Sequence, residues 1–449
     1  MTQKIAAIIL AAGKGTRMKS DTHKVLHPIA CKPMLHHLMD SVDALSPAHK
    51  IVIVGDKADQ LEKALDGSGA KMAVQDPQLG TGHAVQQAGD ALASFNGDVL
   101  ILYGDVPFVP TATMQAMVDR LNKNDAPAIV VLTFRPEDTQ AYGRVITDGD
   151  RIVKMVEHKD ATEAERECRS CNSGLMAVKS ADLFALLARV TNNNAAGEYY
   201  LPDIVNIAAS DGRHSAVVDT DPFDVAGINS RSELAEMEGQ WQDRRRAQAM
   251  ADGASLIAPE TVWFSADTKI GRDVTIEPNV FFGPGVRVAD GVKIKAHCHI
   301  EGATLARGVQ VGPFARLRPG AVLEEDAFIG NFVEMKKSTL GKGAKASHLT
   351  YLGDATVGAG ANIGAGTITC NYDGYFKYPT VIGEGAFIGS NSSLVAPVTI
   401  GKGAIVGAGS AVTADVMDGD LRLVRGEQLV KPGWADRFND TMRRKKKSG

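Results

Sequence analysis

The amino-acid sequence predicts an α/β protein with two domains of different construction. Up to about residue 227, short apolar runs alternate with helix-patterned segments, as in a sheet covered by helices. After Gly253 the large apolar residues recur every six positions, which is typical of a parallel β-helix. Most of the excess among the 46 glycines also lies after Gly253, so the two ends of the chain are built differently.

The first segment predicts a Rossmann-like layered domain. Four apolar runs have the length of buried strands: Ile5–Leu10, Ile51–Val54, Val99–Tyr103 and Ile129–Phe134. Helix-patterned segments lie between them, for example Pro33–Ala44 and Gly82–Phe95. Because strand-helix alternation sets successive strands side by side in one direction, we expect a mostly parallel sheet with helices on both faces.

One helix is predicted to link the two domains. Ser230–Gly253 opens with a serine suited to an N-cap, carries charges throughout and ends at a glycine. We therefore divide the chain into a first domain at 1–227, a linker helix at 228–253, a β-helix at 254–425 and a basic tail at 426–449.

The six-residue register extends from Ile270 to Val412. It begins Ile270, Ile276, Phe282, Val288 and Ile294, with a small or β-branched residue four positions after each. Steps of five occur three times, and one insertion, Cys370–Val381, interrupts the register. Three hexads make one coil of a triangular prism, so the register predicts about eight coils.

Charge and composition exclude several classes of protein. The 49 Lys and Arg residues against 53 Asp and Glu residues give a net charge of -4, which offers no general attraction for nucleic acid or an anionic membrane. Ile5–Ala12 lacks the flanks of a signal peptide, and no window approaches the roughly 20 apolar residues that span a bilayer. Five cysteines without framework spacing fit reduced thiols. We expect a cytoplasmic protein with no nucleic-acid or membrane partner.

A glycine-rich turn follows the first predicted strand. In "LAAGKGTRM" (Leu10–Met18), backbone N–H groups could approach phosphates without a Cβ clash. Lys14, Arg17 and Lys24 could neutralise a triphosphate. The spacing differs from a Walker motif and from a dinucleotide fingerprint, and alone it fits a tight turn with solvated cations equally well.

Three further features favour a nucleotide site. Asp105 follows a buried strand, where open α/β sheets place ligands, and its carboxylate suits Mg²⁺. "QLGTGHA" (Gln78–Ala84) is a second glycine turn that could pass close to a base. Asn229 offers an oxygen that could complete the metal site.

The hexad phase indicates which side chains lie outside the β-helix. His348 has an outward or corner position, with Lys336 and Lys337 about one coil earlier and Arg318 another coil earlier. Near-multiples of six stack these groups along neighbouring edges, and Cys370–Thr380 must leave the prism as a loop. A coil surface also needs polar residues for solvation, so the pattern alone leaves both interpretations open.

Together these motifs closely resemble those of nucleoside-diphosphate-sugar pyrophosphorylases. Up to about residue 431 the chain is similar to the bacterial bifunctional N-acetylglucosamine-1-phosphate uridyltransferase/glucosamine-1-phosphate acetyltransferases. The resemblance implies nucleotide contacts at Leu10, Ala11, Ala12, Gly13, Gln75, Gly80 and Thr81, phosphate contacts at Arg17 and Lys24, a sugar pocket at Tyr103, Gly104, Gly143, Glu157 and Asn172, and Mg²⁺ ligands Asp105 and Asn229. The family commonly has proline where His23 stands, which leaves the backbone entering Lys24 less restrained, without an expected loss of function.

The same resemblance assigns the second half. The residue matching His348 is the general base that takes a proton from the glucosamine amine. The sugar phosphate is implied at Arg318, Lys336, Tyr351 and Asn362, and acetyl-CoA along Ala365, Asn371, Tyr372, Ser390, Ala408 and Arg425. Left-handed coiling and homotrimers with acetyl sites shared between neighbouring subunits are also implied.

The implied function is synthesis of UDP-N-acetylglucosamine, a precursor of peptidoglycan and lipopolysaccharide. Acetyl-CoA acetylates glucosamine-1-phosphate, and Mg²⁺-dependent uridyl transfer from UTP then releases pyrophosphate. The alternative is a single-activity nucleotidyltransferase with a structural or regulatory β-helix. A scaffold of two binding modules is disfavoured, because Asp105 and Asn229 fit a working metal site.

Three other patterns are interpreted as structural. Cys168-x-x-Cys171 lacks a second ligand pair. In His297-Cys298-His299 the hexad phase points the cysteine inward and both histidines outward. The tail Arg443–Lys447 is interpreted as a solvated terminus, the alternative being attraction of acetyl-CoA phosphates.

Overall fold

The computed structural model describes residues 4–139, 142–194 and 197–447. Contacts divide the chain into two compact units, Met1–Trp241 and Gln242–Gly449, called here the N-terminal and C-terminal units. Residues 1–3 of the expected first domain and residues 448–449 of the expected basic tail lie outside the described residues.

The N-terminal unit is built on one mixed sheet of nine strands in the order β5-β4-β1-β6-β10-β7-β11-β9-β8. The strands of this unit, including the separate pair β2-β3, are β1 (Ile5–Ala11), β2 (Pro28–Ile29), β3 (Lys32–Pro33), β4 (His49–Val54), β5 (Lys71–Val74), β6 (Asp98–Tyr103), β7 (Ile129–Phe134), β8 (Arg144–Asp148), β9 (Arg151–Val156), β10 (Cys171–Lys179) and β11 (Ala216–Thr220). The four predicted strands are confirmed as β1, β4, β6 and β7.

The expectation of a mostly parallel sheet is correct in part, since β7 and β11 also pair in parallel on the other side of β10. Strands β5, β4, β1 and β6 run parallel, whereas β10 runs antiparallel to both β6 and β7. The chain reverses after β7 through the β8-β9 hairpin, which turns at Gly149 with φ +61°. The sequence "TDGD" at this turn is a hairpin signal that periodicity alone does not register.

Helices cover both faces of the sheet, as predicted. Ile5, Ala7 and Ile9 of β1 pack into one apolar cluster with α1, α2 and α5, while Ala6 and Ile8 pack into the other with α3, α4, α7 and α8. The helices are α1 (Met34–Asp43), α2 (Ala58–Leu65), α3 (Thr81–Gln86), α4 (Gly89–Leu92), α5 (Thr111–Leu121), α6 (Glu163–Arg166), α7 (Ser180–Leu187) and α8 (Asp203–Ser210), with 3₁₀ turns at Thr16–Met18, Lys24–Leu26 and Pro222–Val225. The predicted helix Gly82–Phe95 is therefore two short helices, with the second starting at a glycine that weakens helix propagation.

The predicted linker helix is present as α9 (Arg231–Ala251). Ser230 Oγ accepts from the Glu233 backbone N–H at 3.2 Å, and Glu233 Oε2 accepts from the Asn229 backbone N–H at 2.6 Å. This reciprocal capping fixes the start of the helix. Trp241 and Gln242, where the two units divide, both lie within it.

The C-terminal unit is a parallel β-helix whose strands stack into three faces. Face 1 contains Ser255–Leu256, Thr275–Ile276, Lys293–Ile294, Gln310–Val311, Phe328–Asn331, Lys345–His348, Asn362–Ile363, Phe387–Ile388, Ile405–Val406 and Leu421–Arg422. Face 2 contains Phe281–Phe282, His299–Ile300, Arg316–Leu317, Glu334–Lys336, Tyr351–Gly353, Ile368–Cys370, Ser393–Val395 and Ala411–Val412. Face 3 contains Lys269–Ile270, Arg287–Val288, Ala303–Leu305, Ala321–Leu323, Thr339–Leu340, Ala355–Val357, Thr380–Ile382 and Val398–Ile400.

The hexad phase correctly predicts the interior of the prism. Ile276, Phe282 and Ile294 are buried in the strands. Val274 and Val292, which lie two residues before Ile276 and Ile294, are buried as well. Cys298 is buried while His297 and His299 are exposed, as predicted. The segment between Cys370 and Thr380 leaves the coils as the expected loop, and a final helix, α10 (Trp434–Lys447), follows. Within the described residues, every helix is too short or too polar to cross a membrane.

Candidate active sites

A cavity of about 350 Å³ lies beyond the carboxyl ends of β1 and β6. These strands are parallel neighbours, with Leu10 paired to Tyr103, so the loops that follow them meet at one edge of the sheet. The structure brings together here the predicted residues Leu10, Ala11, Ala12, Gly13, Lys24, Gln75, Gly80, Thr81, Tyr103 and Asp105. His23, Gln78 and Glu198, which motif reasoning did not select, also line the cavity.

Gly80 is required by the backbone around this cavity. Its φ is +112°, and a Cβ at this position would lie 2.7 Å from the Tyr199 carbonyl oxygen. Gln75 Nε2 donates to the Gly80 carbonyl at 2.9 Å and so ties the turn to the strand β5 side of the cavity. Gln78 Nε2 donates to the Ala12 carbonyl at 2.6 Å, which joins the two glycine turns.

Lys24 lies between the two predicted metal ligands. Its Nζ is 2.5 Å from Asp105 Oδ2 and 3.1 Å from Asn229 Oδ1. The Asp105 carbonyl accepts from the Ile228 N–H at 3.0 Å, which holds the two loops together. Because two oxygens converge on one cation, the residues fit a Mg²⁺ site of the kind that uses few protein ligands.

A second cavity, of about 600 Å³, shares Thr81 and Tyr103 with the first. It is also lined by the predicted sugar-pocket residues Gly143, Glu157 and Asn172, and by Tyr142, Asp160, Asn194 and Tyr200, which were not predicted. Asn172 Oδ1 accepts from the Gly174 N–H at 2.8 Å, and the Gly174 position faces the Tyr103 ring so closely that a Cβ would lie 2.9 Å from it. Because they share two lining residues, the two cavities are neighbours at one edge of the sheet.

Electrostatics in the second cavity favour neutral or hydrogen-bonding ligands. Burial raises the pKa of Glu157, and the nearby charges of Asp160 and Asp203 raise it further. Burial, followed by the charge of Asp105, raises the pKa of Tyr103, so its hydroxyl remains protonated. These groups are suited to hydroxyl and amide groups of a sugar.

Two predicted residues are placed differently from the rest. Arg17 is exposed on the 3₁₀ turn Thr16–Met18, outside the cavity lining. Gly104 is buried beneath the cavity, where its N–H donates to the Leu10 carbonyl at 2.9 Å.

The structure gives the His23 backbone a restraint that the sequence did not indicate. The His23 N–H donates to Gln60 Oε1 at 2.7 Å, a bond that proline cannot make because it lacks the donor.

In the C-terminal unit, His348 is exposed at the end of a face 1 strand and pairs in register with Asn331 one coil earlier. His348 Nδ1 lies 2.5 Å from Asn331 Oδ1. Since the amide oxygen can only accept, this contact places a proton on Nδ1, and in the neutral imidazole it leaves the Nε2 lone pair free. Asn331 was not predicted, although its spacing of 17 residues from His348 matches one coil.

Cationic groups collect at the ends of the neighbouring face 2 strands, where Lys336 lies in register with Gly353. Lys336 follows Arg318 by one coil, since the Arg318 N–H donates to the Met335 carbonyl at 2.9 Å. The charge of Arg318, followed by that of Lys377, lowers the pKa of Lys336, so an anion bound here would relieve repulsion. Arg318 is partly neutralised by Glu334 at 2.8 Å. Lys377 belongs to the inserted loop and was missed because the hexad register is interrupted there.

Four of the six predicted acetyl-CoA residues form a line along the corner that carries His348. Backbone bonds join its successive coils: Gly366 N–H to the His348 carbonyl at 3.3 Å, Asn391 N–H to the Ala365 carbonyl at 2.8 Å, and Gly409 N–H to the Ser390 carbonyl at 2.8 Å. Ala408 precedes Gly409, and a Cβ on Gly409 would lie 3.8 Å from Arg425 Cδ. Ala365, Ser390, Ala408 and Arg425 therefore follow His348 in order.

The other predicted residues of this unit lie on different elements around this line. Tyr351 starts the neighbouring face 2 strand, and Tyr372 is exposed on the loop. Asn371 is buried and donates to Asp354 Oδ2 at 2.6 Å, so its amide supports the base of the loop. Asn362 lies on face 1 in register with Lys345, at the opposite end of the strand from His348.

An exposed ladder follows the same corner. His297, Phe314, Phe332 and Leu349 occupy successive coils, all with positive φ. The rings of His297 and Phe314 stack with centroids 4.7 Å apart, and those of Phe314 and Phe332 with centroids 5.2 Å apart. Phe332 is 53% exposed and Leu349 62% exposed, so the ladder presents apolar surface next to His348.

Comparisons with known proteins match a different family in each of the two units. Residues 7–201 match the MobA-like NTP transferase domain family, and residues 267–302 and 379–414 match the bacterial transferase hexapeptide (six repeats) family. The chain is 75% identical to the bifunctional protein GlmU of Sphingopyxis alaskensis and 73% identical to that of Novosphingobium aromaticivorans, with 99% of each chain covered. It is 57% identical to the bifunctional protein GlmU of Zymomonas mobilis over 98% of each chain.

Proposed function

The chain belongs to the family of bifunctional GlmU proteins, and from this premise we propose that it synthesises UDP-N-acetylglucosamine from glucosamine-1-phosphate in two steps. The C-terminal unit transfers acetyl from acetyl-CoA to the amine. The N-terminal unit then transfers uridylyl from UTP to the sugar phosphate and releases pyrophosphate. The observation that carries the acetyl-transfer step, and with it two activities rather than one, is the His348–Asn331 pair, because a β-helix that only supported a nucleotidyltransferase would not need an oriented histidine on coils that also carry clustered cations.

In the uridyl-transfer step, catalysis depends on positioning of the substrates and on charge neutralisation. The first cavity holds the nucleotide between the two glycine turns, and the second holds the N-acetylglucosamine moiety near Glu157 and Asn172. The sugar phosphate is already an anion, so its oxygen attacks the α-phosphorus in line without a general base. Lys24 neutralises charge that develops on the phosphates, and Arg17 joins it from the exposed turn.

Asp105 and Asn229 would hold Mg²⁺ in this site. The metal supplies charge neutralisation and a template for the phosphate oxygens when bound. Lys24 is positioned by the same two oxygens at 2.5 Å and 3.1 Å, so lysine and ligands belong to one electrostatic centre.

In the acetyl-transfer step, His348 is the general base. Nδ1 donates to Asn331, so Nε2 is available to take a proton from the glucosamine amine. The amine nitrogen forms a bond to the thioester carbonyl carbon, the carbon–sulfur bond breaks, and CoA leaves as the thiol after protonation. Arg318, Lys336 and Lys377 hold the sugar phosphate, while acetyl-CoA lies along Ala365, Ser390, Ala408 and Arg425.

We infer that the working molecule is a homotrimer in the cytoplasm. The ladder of His297, Phe314, Phe332 and Leu349 offers apolar surface for a second copy of the chain. Since Leu349 directly follows His348, a neighbouring subunit that covered the ladder would also close the acetyl-transfer site. Hexapeptide-repeat prisms suit such packing because each exposes flat faces.

The acetyl-transfer assignment is tested by His348→Ala, with CoA release followed by a thiol reagent in the presence of glucosamine-1-phosphate. We expect a loss of about 10²–10⁴-fold, the usual contribution of general base catalysis. His299→Ala, which removes another exposed histidine of the β-helix, is the matched control and should keep wild-type activity. CoA release by His348→Ala at the wild-type rate would place the base elsewhere.

A further inference from the structure

Helix α2 and its N-cap residue Lys57 hold the segment that leads into Lys24 by three side-chain hydrogen bonds. Lys57 Nζ donates to the Ser20 carbonyl at 2.9 Å, and Gln60 Nε2 donates to the Asp21 carbonyl at 2.8 Å. Gln60 Oε1 accepts from the His23 N–H at 2.7 Å. One glutamine side chain therefore bonds to the backbone on both sides of Thr22.

The backbone of His23 is in a conformation that proline would also adopt. Its φ is -57° and its ψ is 139°, within the range that a proline ring imposes. Here no ring restrains the chain, so the Gln60 bonds must supply the restraint. A proline at position 23 would lack the N–H and would place its Cδ against Gln60 Oε1.

Lys24 is held on its other side as well. His23 Nδ1 accepts from the Val25 N–H at 3.3 Å and so caps the 3₁₀ turn Lys24–Leu26. The His23 side chain is 3% exposed, and burial lowers its pKa, which keeps the imidazole neutral and Nδ1 able to accept. The turn that carries Lys24 is thereby fixed before and after the lysine.

We propose that Gln60 is a positioning residue for uridyl transfer: its bonds to Asp21 and His23 fix the turn that places the Lys24 ammonium on Asp105 and Asn229. The proposal rests on the proposed uridyl-transfer function. Gln60 itself lies outside the cavity lining, so it acts through Lys24 rather than on substrate. Misplacement of a catalytic group by about 1 Å is sufficient to reduce catalysis.

The test is a double-mutant cycle between Gln60→Ala and His23→Pro, read as pyrophosphate release from UTP and N-acetylglucosamine-1-phosphate. Gln60→Ala alone should lower kcat/KM about tenfold, on the scale of one or two lost hydrogen bonds. His23→Pro alone should also lower it, because the ring meets Gln60. In the His23→Pro background, Gln60→Ala should leave kcat/KM unchanged or raise it, since the ring then supplies the restraint and the conflict is removed.

Two further variants keep the test decisive if His23→Pro does not fold. Gln60→Glu retains an acceptor for the His23 N–H and should keep more activity than Gln60→Ala. Glu62→Ala, an exposed position on the same helix, is the matched control. Equal losses from Gln60→Ala in both backgrounds, or Gln60→Glu no better than Gln60→Ala, would overturn the proposal. A wild-type protein that releases no pyrophosphate would instead refute the proposed function.

Discussion

The Lys24 ammonium lies 2.5 Å from Asp105 Oδ2, although the two residues are 81 positions apart in the chain. Asn229, which is 205 positions from Lys24, completes the contact at 3.1 Å. Three separate loops thus converge on one charge at the carboxyl edge of the sheet. This convergence favours a functional role for the glycine-rich turn, whereas its sequence alone also fits a purely structural turn.

Removing the carboxylate from this centre should abolish one activity and spare the other. Asp105→Ala takes away one of the two proposed Mg²⁺ ligands and leaves the Lys24 ammonium without its closest partner. Pyrophosphate release should fall by far more than tenfold, while acetyl transfer, measured on the same preparation, serves as the control and stays near wild type. Uridyl transfer within about tenfold of wild type at saturating Mg²⁺ would exclude Asp105 as an essential ligand.

Glu157 should reduce stability while it supports sugar binding. Because burial raises its pKa above the ordinary value of 4.5, the folded protein holds this proton more tightly than the unfolded chain. The ionised Glu157 carboxylate therefore lowers the free energy of unfolding. This destabilisation is absent at low pH and grows as the pH rises through the folded pKa. Since Glu157 is exposed to solvent, this cost is small, so Glu157→Gln should raise the thermal midpoint at pH 7 only slightly, and less near pH 4.5.

The same variant should weaken sugar binding. In the wild type, the KM for N-acetylglucosamine-1-phosphate should rise as the pH falls through the raised pKa, because the protonated carboxyl is a poorer acceptor. The ratio of the wild-type and Glu157→Gln KM values isolates this titration from that of the substrate phosphate. A ratio that does not change with pH would show that Glu157 makes no such contact.

Gly80→Ala should damage the nucleotide cavity more than a similar change elsewhere. The substitution combines a φ of +112° with a Cβ only 2.7 Å from the Tyr199 carbonyl oxygen. Gly149→Ala, at φ +61° with open space around it, is the matched control for strain alone. We expect at least a tenfold loss of uridyl transfer for Gly80→Ala. Comparable kinetics and thermal midpoints for the two variants would show that the turn can shift.

An acidic residue in the exposed ladder should separate the subunits. Phe332→Asp puts a charge on apolar surface beside the acetyl-transfer site, so sedimentation should show monomers in place of trimers. Acetyl transfer should fall at least tenfold while uridyl transfer is unchanged. Val153→Asp, a 65% exposed apolar position in the N-terminal unit, is the control. A Phe332→Asp trimer with full acetyl transfer would locate the subunit contacts elsewhere.

Periodicity predicts the β-helix well because each hexad position has one environment. The phase that starts at Ile270 anticipates the burial of Ile276 and Phe282 and the outward orientation of His297 and His299. In the N-terminal unit the same approach finds β1, β4, β6 and β7 but not the reversal at β10. Strand direction depends on the path of the chain between strands, and an apolar run does not indicate that path.

The sites show the same limit. Motifs select Lys24, Asp105 and Asn229, yet the bonds among them depend on three loops whose distances only the fold determines. No motif indicates Gln60 or Asn331, since each contacts a neighbouring residue rather than substrate. Arg17 matches the motif but stays exposed in the structure.

The central claim is that one chain catalyses both reactions in sequence. Its most direct test is to incubate the protein with glucosamine-1-phosphate, acetyl-CoA, UTP and Mg²⁺ and to follow each sugar product by mass spectrometry. N-acetylglucosamine-1-phosphate should form first and UDP-N-acetylglucosamine after it, and both should be absent when acetyl-CoA is omitted. UDP-N-acetylglucosamine formed only when N-acetylglucosamine-1-phosphate is supplied ready-made would contradict the account and leave a nucleotidyltransferase with a structural β-helix.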